Sequence, residues 1–379
     1  MFSLLKPLNL QYDFEAADAY AQIGSLIDVY TIDYQPDLSA ADLVIIGVEE
    51  QRNAINNDGV KYAPDVIRTA FYNLYPGEWH LKMADIGNLV ISDNIKETYE
   101  HLHQILDGLP QDTNIILLGG SQDLTVALTN FYDQNNKPYN LSVIDAFIDS
   151  SLLDQDIDNE NYLTYILGKP DVLLHNLSLF GIQTYYNHPS KFKMFDQLYV
   201  DYYKLGEIQN NIQELEPEIR EADIVSIDIR SIRYADMPAH VSSQPNGLTG
   251  LEICKISRMA GIASNNRILG MFEYNPMYDK NNTGANLAAQ VLWYYVEGKN
   301  IYQNDYPKIS KETLLKFYVE NEVLKLVFYK NPETNRWWVE IPKITPQSLL
   351  FACSETDYQA ALKMKMSSRL YRIINKMSV

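Results

Sequence analysis

Short apolar runs alternate with amphipathic stretches from about residue 40 to residue 300. The runs fall at 42–48, 114–120, 141–145, 177–182, 223–228 and 267–273. Most are apolar at consecutive positions, as strands are when a parallel sheet is covered by helices on both faces. The stretches between them carry helical signals. At 63–72, Pro64 stands near the first turn and Asp65 follows it, and both suit a helix amino terminus. At 284–298 a helix-forming pattern stops at Gly298, a residue type that closes helices. The alternation predicts an α/β domain over residues 1–300, a doubly wound, mostly parallel sheet with helices on both faces.

After residue 300 the pattern changes. Apolar and aromatic residues at 321–329 and 336–341 flank the turn-forming cluster Asn331-Pro332-Glu333-Thr334-Asn335, which predicts a β-hairpin. A final helix is expected over 356–375, with Lys and Arg near its carboxyl end. Residues 301–379 are read as a C-terminal α+β appendage that packs on the body or contacts another copy or a protein partner.

Composition narrows the function classes. The chain has 379 residues, 46% hydrophobic and 12% aromatic, enough to bury a large core. Its formal net charge of −18 argues against nucleic acid and anionic membrane surfaces, which select basic patches. Cys254 and Cys353 cannot build a disulfide framework. No apolar run reaches the roughly 18 residues of a membrane span, and no signal peptide is expected. A cytoplasmic location is the resulting expectation.

Candidate chemistry gathers at strand ends. Two runs break into Asp145-Ala146-Phe147-Ile148-Asp149 and Asp228-Ile229-Arg230. Strand alternation would aim Asp145, Phe147 and Asp149 in one direction and make Asp228 and Arg230 a second such set. The carboxyl edge of a parallel sheet is where α/β proteins build their sites. Three aspartates there could hold a divalent metal, but Phe147 and Arg230 stand where further ligands would be expected. A third strand end opens into Gly119-Gly120-Ser121, a tight strand-to-helix turn whose backbone N–H groups could hold an anion.

Five segments in order resemble the ureohydrolase superfamily of arginases, agmatinases and formimidoylglutamases. Gly119-Gly120-Ser121-Gln122-Asp123 is similar to the family's Gly-Gly-Asp-His-Ser turn, and Asp145-Ala146-Phe147-Ile148-Asp149 to its Asp-Ala-His-x-Asp. Ser226-Ile227-Asp228-Ile229-Arg230 is similar to Ser-x-Asp-x-Asp, Asn246-Gly247-Leu248-Thr249 to Gly-Gly-Leu-Thr, and Glu273-Tyr274-Asn275-Pro276 to Glu-Val-Asn-Pro. The resemblance implies an arginase-like fold, self-association, and two Mn²⁺ ions that generate a hydroxide to attack a guanidinium or amidine carbon. It places one metal at Gln122, Asp145, Asp149 and Asp228. It places the other at Asp145, Phe147, Asp228 and Arg230. Phe147 has no donor atom, and Arg230 cannot give up its proton to coordinate.

The expected function is therefore a family member that has lost dinuclear-manganese hydrolysis and acts in binding or assembly, with no resident cofactor. The alternative is a hydrolase of linear amidines using one Mn²⁺ or Mg²⁺ ion at Gln122, Asp145, Asp149 and Asp228. Arg230 is expected to neutralise the aspartates, with Arg233 nearby. Glu273 and Asn275 would line a pocket for a small cationic or amide ligand. None of the six histidines ends the three marked strands. His101 and His103 fall on a helical pattern and are expected on its solvated face, and His175 and His240 are left as imidazoles that could fold back toward the site.

Overall fold

The computed structural model describes residues 1–9, 22–151, 155–301, 314–320, 325–341 and 349–378. Ten strands form one sheet: β1 Leu5–Lys6, β2 Ile27–Val29, β3 Leu43–Gly47, β4 Met83–Leu89, β5 Asn114–Leu118, β6 Tyr139–Ile144, β7 Leu174–Ile182, β8 Asp201–Lys204, β9 Ile224–Asp228 and β10 Ile268–Phe272. The order is β1-β4-β3-β5-β10-β9-β6-β7-β8, with β2 also on β4. All pairings are parallel except β1 on β4.

Successive residues of the central strands feed opposite cores, which is why their sequences are apolar throughout. Ile45, Ile116, Val225 and Leu269 join one cluster, with Ile67, Phe71, Ile253 and Leu292 from helices Ala63–Tyr72, Gly250–Ile262 and Thr283–Asn300. Val44, Ile115, Ile224 and Ile268 join the other, with Leu102 and Leu128 from helices Ile95–Asp107 and Leu124–Gln134. The fold is the expected mostly parallel, doubly covered sheet.

Each of the six apolar runs becomes a strand, but β4 carries no such signal. Its Asp85, Gly87 and Asn88 interrupt the apolar pattern. Asp85 is nonetheless fully buried, because Arg68 forks onto it with contacts of 2.7 and 3.2 Å and Tyr72 donates its hydroxyl at 2.9 Å. The helix expected to stop at Gly298 runs on to Asn300. Gly298 serves a close helix approach instead: a Cβ there would lie 2.8 Å from the Cα of Gly261.

A second, antiparallel sheet follows in the order β11 Leu315–Glu320, β12 Lys325–Lys330, β13 Trp337–Ile341, β14 Leu349–Cys353. The expected hairpin is β12–β13, although residues 321–324 of its first arm lie outside the described residues. The single final helix is in fact two, Glu355–Leu362 and Ser368–Ser378. Met364, at φ +55°, breaks the helical path between them. Arg220 ties this sheet to the body, donating to the Trp337 carbonyl at 2.9 Å with its guanidinium 4.4 Å above the Trp338 ring.

Candidate functional site

Four adjacent central strands, β5, β10, β9 and β6, deliver Gln122, Glu273, Asp228 and Asp145 at or just past their carboxyl ends. The glycine turn after β5 makes this possible. A Cβ on Gly120 would lie 1.8 Å from the Glu50 carbonyl oxygen, so only glycine lets the two backbones approach. The Gly120 carbonyl then accepts from Glu273 N–H at 2.8 Å, and the Glu50 carbonyl accepts from Ser121 N–H at 3.0 Å.

The alternation predicted for the acidic segments does not occur, because both strands end first. β6 stops at Ile144, and Asp145 caps the loop by accepting from Phe147 N–H at 2.9 Å. β9 stops at Asp228, which accepts from Arg230 N–H at 2.6 Å as residues 229–231 turn into a short 3₁₀ segment. Asp145, Asp149 and Asp228 still converge, with ligand oxygens all within 4.8 Å of one another and every side chain buried. Phe147 does not join them as a ligand; its ring stacks on Tyr186 with centroids 5.2 Å apart.

Arg230 fills the space between the carboxylates. Its Nη2 lies 2.6 Å from Asp228, 2.9 Å from Asp149 and 3.7 Å from Asp145, and its Nε donates to Asp228 at 2.6 Å. The guanidinium carbon is 5.0 Å from the Phe147 ring centroid. The Gln122 amide settles with its nitrogen 3.1 Å from Asp228 and 3.3 Å from Asp145, and its oxygen accepts from the buried Tyr162 hydroxyl at 3.2 Å. The opposite orientation would set amide oxygen against carboxylate oxygens. Arg233, expected beside this cluster, pairs with Asp236 at 2.9 Å instead.

Burial sets the electrostatics. It pushes Asp145 well above the ordinary carboxylate range, reinforced by Asp228 and Asp149 and opposed by Arg230. Burial raises Asp228 to about 6, with Arg230 holding it down against Glu273 and Asp149. Burial disfavours charge on Arg230, yet Asp228, Asp149 and Asp145 keep its guanidinium firmly protonated.

Glu273 is fully buried, at φ +67°. Its carboxylate accepts from the Gln122 backbone N–H and the Asn57 amide, each at 2.9 Å. The anion at the Gly119-Gly120-Ser121 turn is thus the chain's own Glu273. Asn275, equally buried, donates to Asn57 at 2.9 Å and to the Asp58 carbonyl at 2.7 Å. Both residues expected to line a ligand pocket have their polar atoms engaged inside the protein.

His240 is the imidazole that folds back. Its Nδ1 accepts from Ser242 N–H at 2.8 Å, which leaves the proton on Nε2, 3.6 Å from Glu273. His175 lies near the amino end of β7, at the opposite sheet edge. His103 packs 5.9 Å from Phe131 rather than facing solvent freely. Asn57, Tyr162 and Lys191 were not anticipated. Lys191 donates to the Ile148 carbonyl at 2.6 Å, and burial lowers its ammonium against the pull of Asp149, Glu160 and Asp145. These three residues follow no motif, and only the tertiary path brings them near the cluster.

The residues present do not fit a two-manganese centre. Phe147 offers no donor, and the Arg230 guanidinium puts a fixed positive charge among the three carboxylates that would hold the ions. Three carboxylates suit one hard ion in number, but that ion would have to displace the Arg230 guanidinium.

A parallel sheet delivering this carboxylate set from these strand ends defines a protein of the arginase class. The Arginase family model matches residues 41–297, and the chain belongs to that family. Its sequence is similar to the formimidoylglutamase of Macrococcus caseolyticus, 24% identical over 293 residues, covering 74% of this chain and 92% of that one. The formimidoylglutamase of Vibrio parahaemolyticus is 26% identical over 263 residues, covering 62% and 76%. Among solved structures, formimidoylglutamase from Bacillus subtilis superposes with a TM-score of 0.68 at 18% identity, covering 79% of this chain and 98% of that one. Trypanosoma cruzi formiminoglutamase with Mn²⁺ gives 0.67 at 18% identity, covering 74% and 99%. No helix among the described residues is long and apolar enough to cross a membrane.

Proposed function

We propose that this chain is a formimidoylglutamase-like member of the arginase family that does not run two-metal hydrolysis and works by binding or assembly. The observation that carries this reading is the Arg230 guanidinium within hydrogen-bonding reach of Asp228 and Asp149, on a residue that the family resemblance aligns with a metal ligand. Two-metal hydrolysis needs a bound hydroxide, and a guanidinium cannot generate one. The C-terminal sheet supports a binding role, because the family match ends at residue 297 and the sheet begins at Leu315. Between it and the body lies a cleft of about 990 Å³ whose lining includes Lys255, Arg258, Trp337 and Ser354.

A second reading has its own support. Asp145, Asp149 and Asp228 offer oxygens close enough for one ion, and the curated relatives are formimidoylglutamases. In that reading the chain cleaves the C–N bond of a linear amidine with a single metal. One experiment separates the two: purified protein is equilibrated with Mn²⁺, freed of excess, and assayed for metal content and for hydrolysis of formimidoylglutamate. Absence of turnover is expected. Turnover with one ion per chain would favour the second reading, and turnover with two would overturn the first outright.

A further inference from the structure

We propose that Arg230 is a tethered counter-ion that occupies the chain's own cation site, so that removing its charge opens that site to one divalent metal ion. The proposal rests on the reading above that Arg230 stands at a metal position, and it adds what the guanidinium does there. Three buried carboxylates within 4.8 Å of one another cannot all stay ionised without a compensating positive charge. Among the described residues, Arg230 is the cation in ion contact with all three. Lys191 is engaged on the Ile148 carbonyl, and His240 faces Glu273.

The guanidinium is built into place. Nη2 reaches Asp149 and Asp228 while Nε and the backbone N–H also bind Asp228, so both oxygens of that carboxylate are held by one residue. Phe147 supports the guanidinium through its ring face and is itself stacked on Tyr186. The side chain that abolishes a metal ligand therefore also positions the replacement charge. Gln122 supplies the second donor, its amide nitrogen shared between Asp228 and Asp145. A half-turn of that amide would present oxygen instead, and three carboxylates with one amide oxygen are a donor set for Mg²⁺ or Mn²⁺.

The test compares wild type, Arg230→Met and Arg230→Lys for metal content and for Tm with EDTA, Mg²⁺ or Mn²⁺. The wild-type Tm is expected to be insensitive to all three. Arg230→Met should melt lower in EDTA, take up one Mn²⁺ per chain and regain Tm with the ion. Adding Asp149→Asn to it should abolish uptake. Arg230→Lys keeps the charge and should take up none. If Arg230→Met does not fold in EDTA, its refolding in Mn²⁺ gives the same readout, and recovery supports the proposal. An Arg230→Met protein that takes up no ion, or that neither Mn²⁺ nor Mg²⁺ rescues, overturns it, as does equal uptake by Arg230→Lys. Turnover by wild type would instead defeat the functional reading on which the proposal rests.

Discussion

Arg230 binds both carboxylate oxygens of Asp228, two residues before it in the chain: Nε lies 2.6 Å from Oδ2 and the backbone N lies 2.6 Å from Oδ1. Asp145 has no such grip, with Nη2 3.7 Å away and two repelling carboxylates nearby. The two aspartates should therefore respond in opposite ways to neutralisation. Asp228→Asn leaves the buried guanidinium short of its main partner and should cost about 3–5 kcal/mol of stability. Asp145→Asn removes a carboxylate held in a repulsive setting and should be neutral or stabilising. Urea denaturation of both variants checks the order. A site organised around a bridging metal would make Asp145 the more costly loss.

Glu273 yields a second prediction because two donors bond its carboxylate and a third stands just beyond hydrogen-bond reach. The Gln122 backbone N–H and the Asn57 amide reach it at 2.9 Å, and His240 Nε2 stands at 3.6 Å. In Glu273→Gln, one acceptor oxygen becomes an NH₂ group facing a donor. The expected cost is about 1–3 kcal/mol, from a buried donor left without an acceptor. Thermal or urea unfolding would show it. A change within about 0.5 kcal/mol would mean that Glu273 faces solvent or an open pocket instead.

The six strands found from sequence are those whose side chains are apolar on both faces, so local composition carried the information. β4 escaped because its buried Asp85 is tolerable only beside Arg68, a partner 17 residues away that no local pattern reveals. The strand-end motifs located Asp145, Asp149, Asp228 and Gln122, while the alternation used to aim Phe147 failed because β6 ends at Ile144. Phe147 packs against both Tyr186 and the Arg230 guanidinium, and Tyr186 lies in the short 3₁₀ segment Thr184–Tyr186 that follows β7. The engagement of Glu273 was equally invisible: its partner Asn57 lies 216 residues away, in a loop with no motif.

Lys299 makes stability depend on pH away from the site. It is buried near the end of helix Thr283–Asn300, where its Nζ donates to the carbonyls of Ala263 and Asn266. Burial pushes its ammonium down from 10.5 to about 7. Between these two values the unfolded chain holds a proton that the folded chain has released. Stability should therefore rise with pH across that window, by at most about 1.4 kcal/mol per pH unit from this group. Below about 7 both states are protonated and the full burial penalty applies. Lys299→Met leaves two carbonyls unpaired, so its absolute stability is not the readout. The readout is the slope of urea-derived stability against pH, which should flatten across the window in the variant and remain in wild type.

Arg369 shows how firmly the C-terminal sheet is held. From helix Ser368–Ser378, its Nε donates to Glu218 at 2.9 Å, Nη1 pairs with Asp357, and Nη2 donates to the Glu214 carbonyl. Glu214 and Glu218 belong to the region matched by the family model, whereas Asp357 lies beyond it. One buried guanidinium thus bonds the shared fold to the added module. Arg369→Met would strand the Glu218 and Asp357 carboxylates and should cost about 3–5 kcal/mol. Trp337 and Trp338 lie in this module, so their fluorescence should report an unfolding step at lower urea, together with faster proteolysis of the module. Lys325→Ala is the control. Its partner Glu320 is an exposed surface contact, and breaking it should leave both readouts unchanged. If Arg369→Met also left them unchanged, the module would have to be held by its apolar contacts and by Arg220 instead.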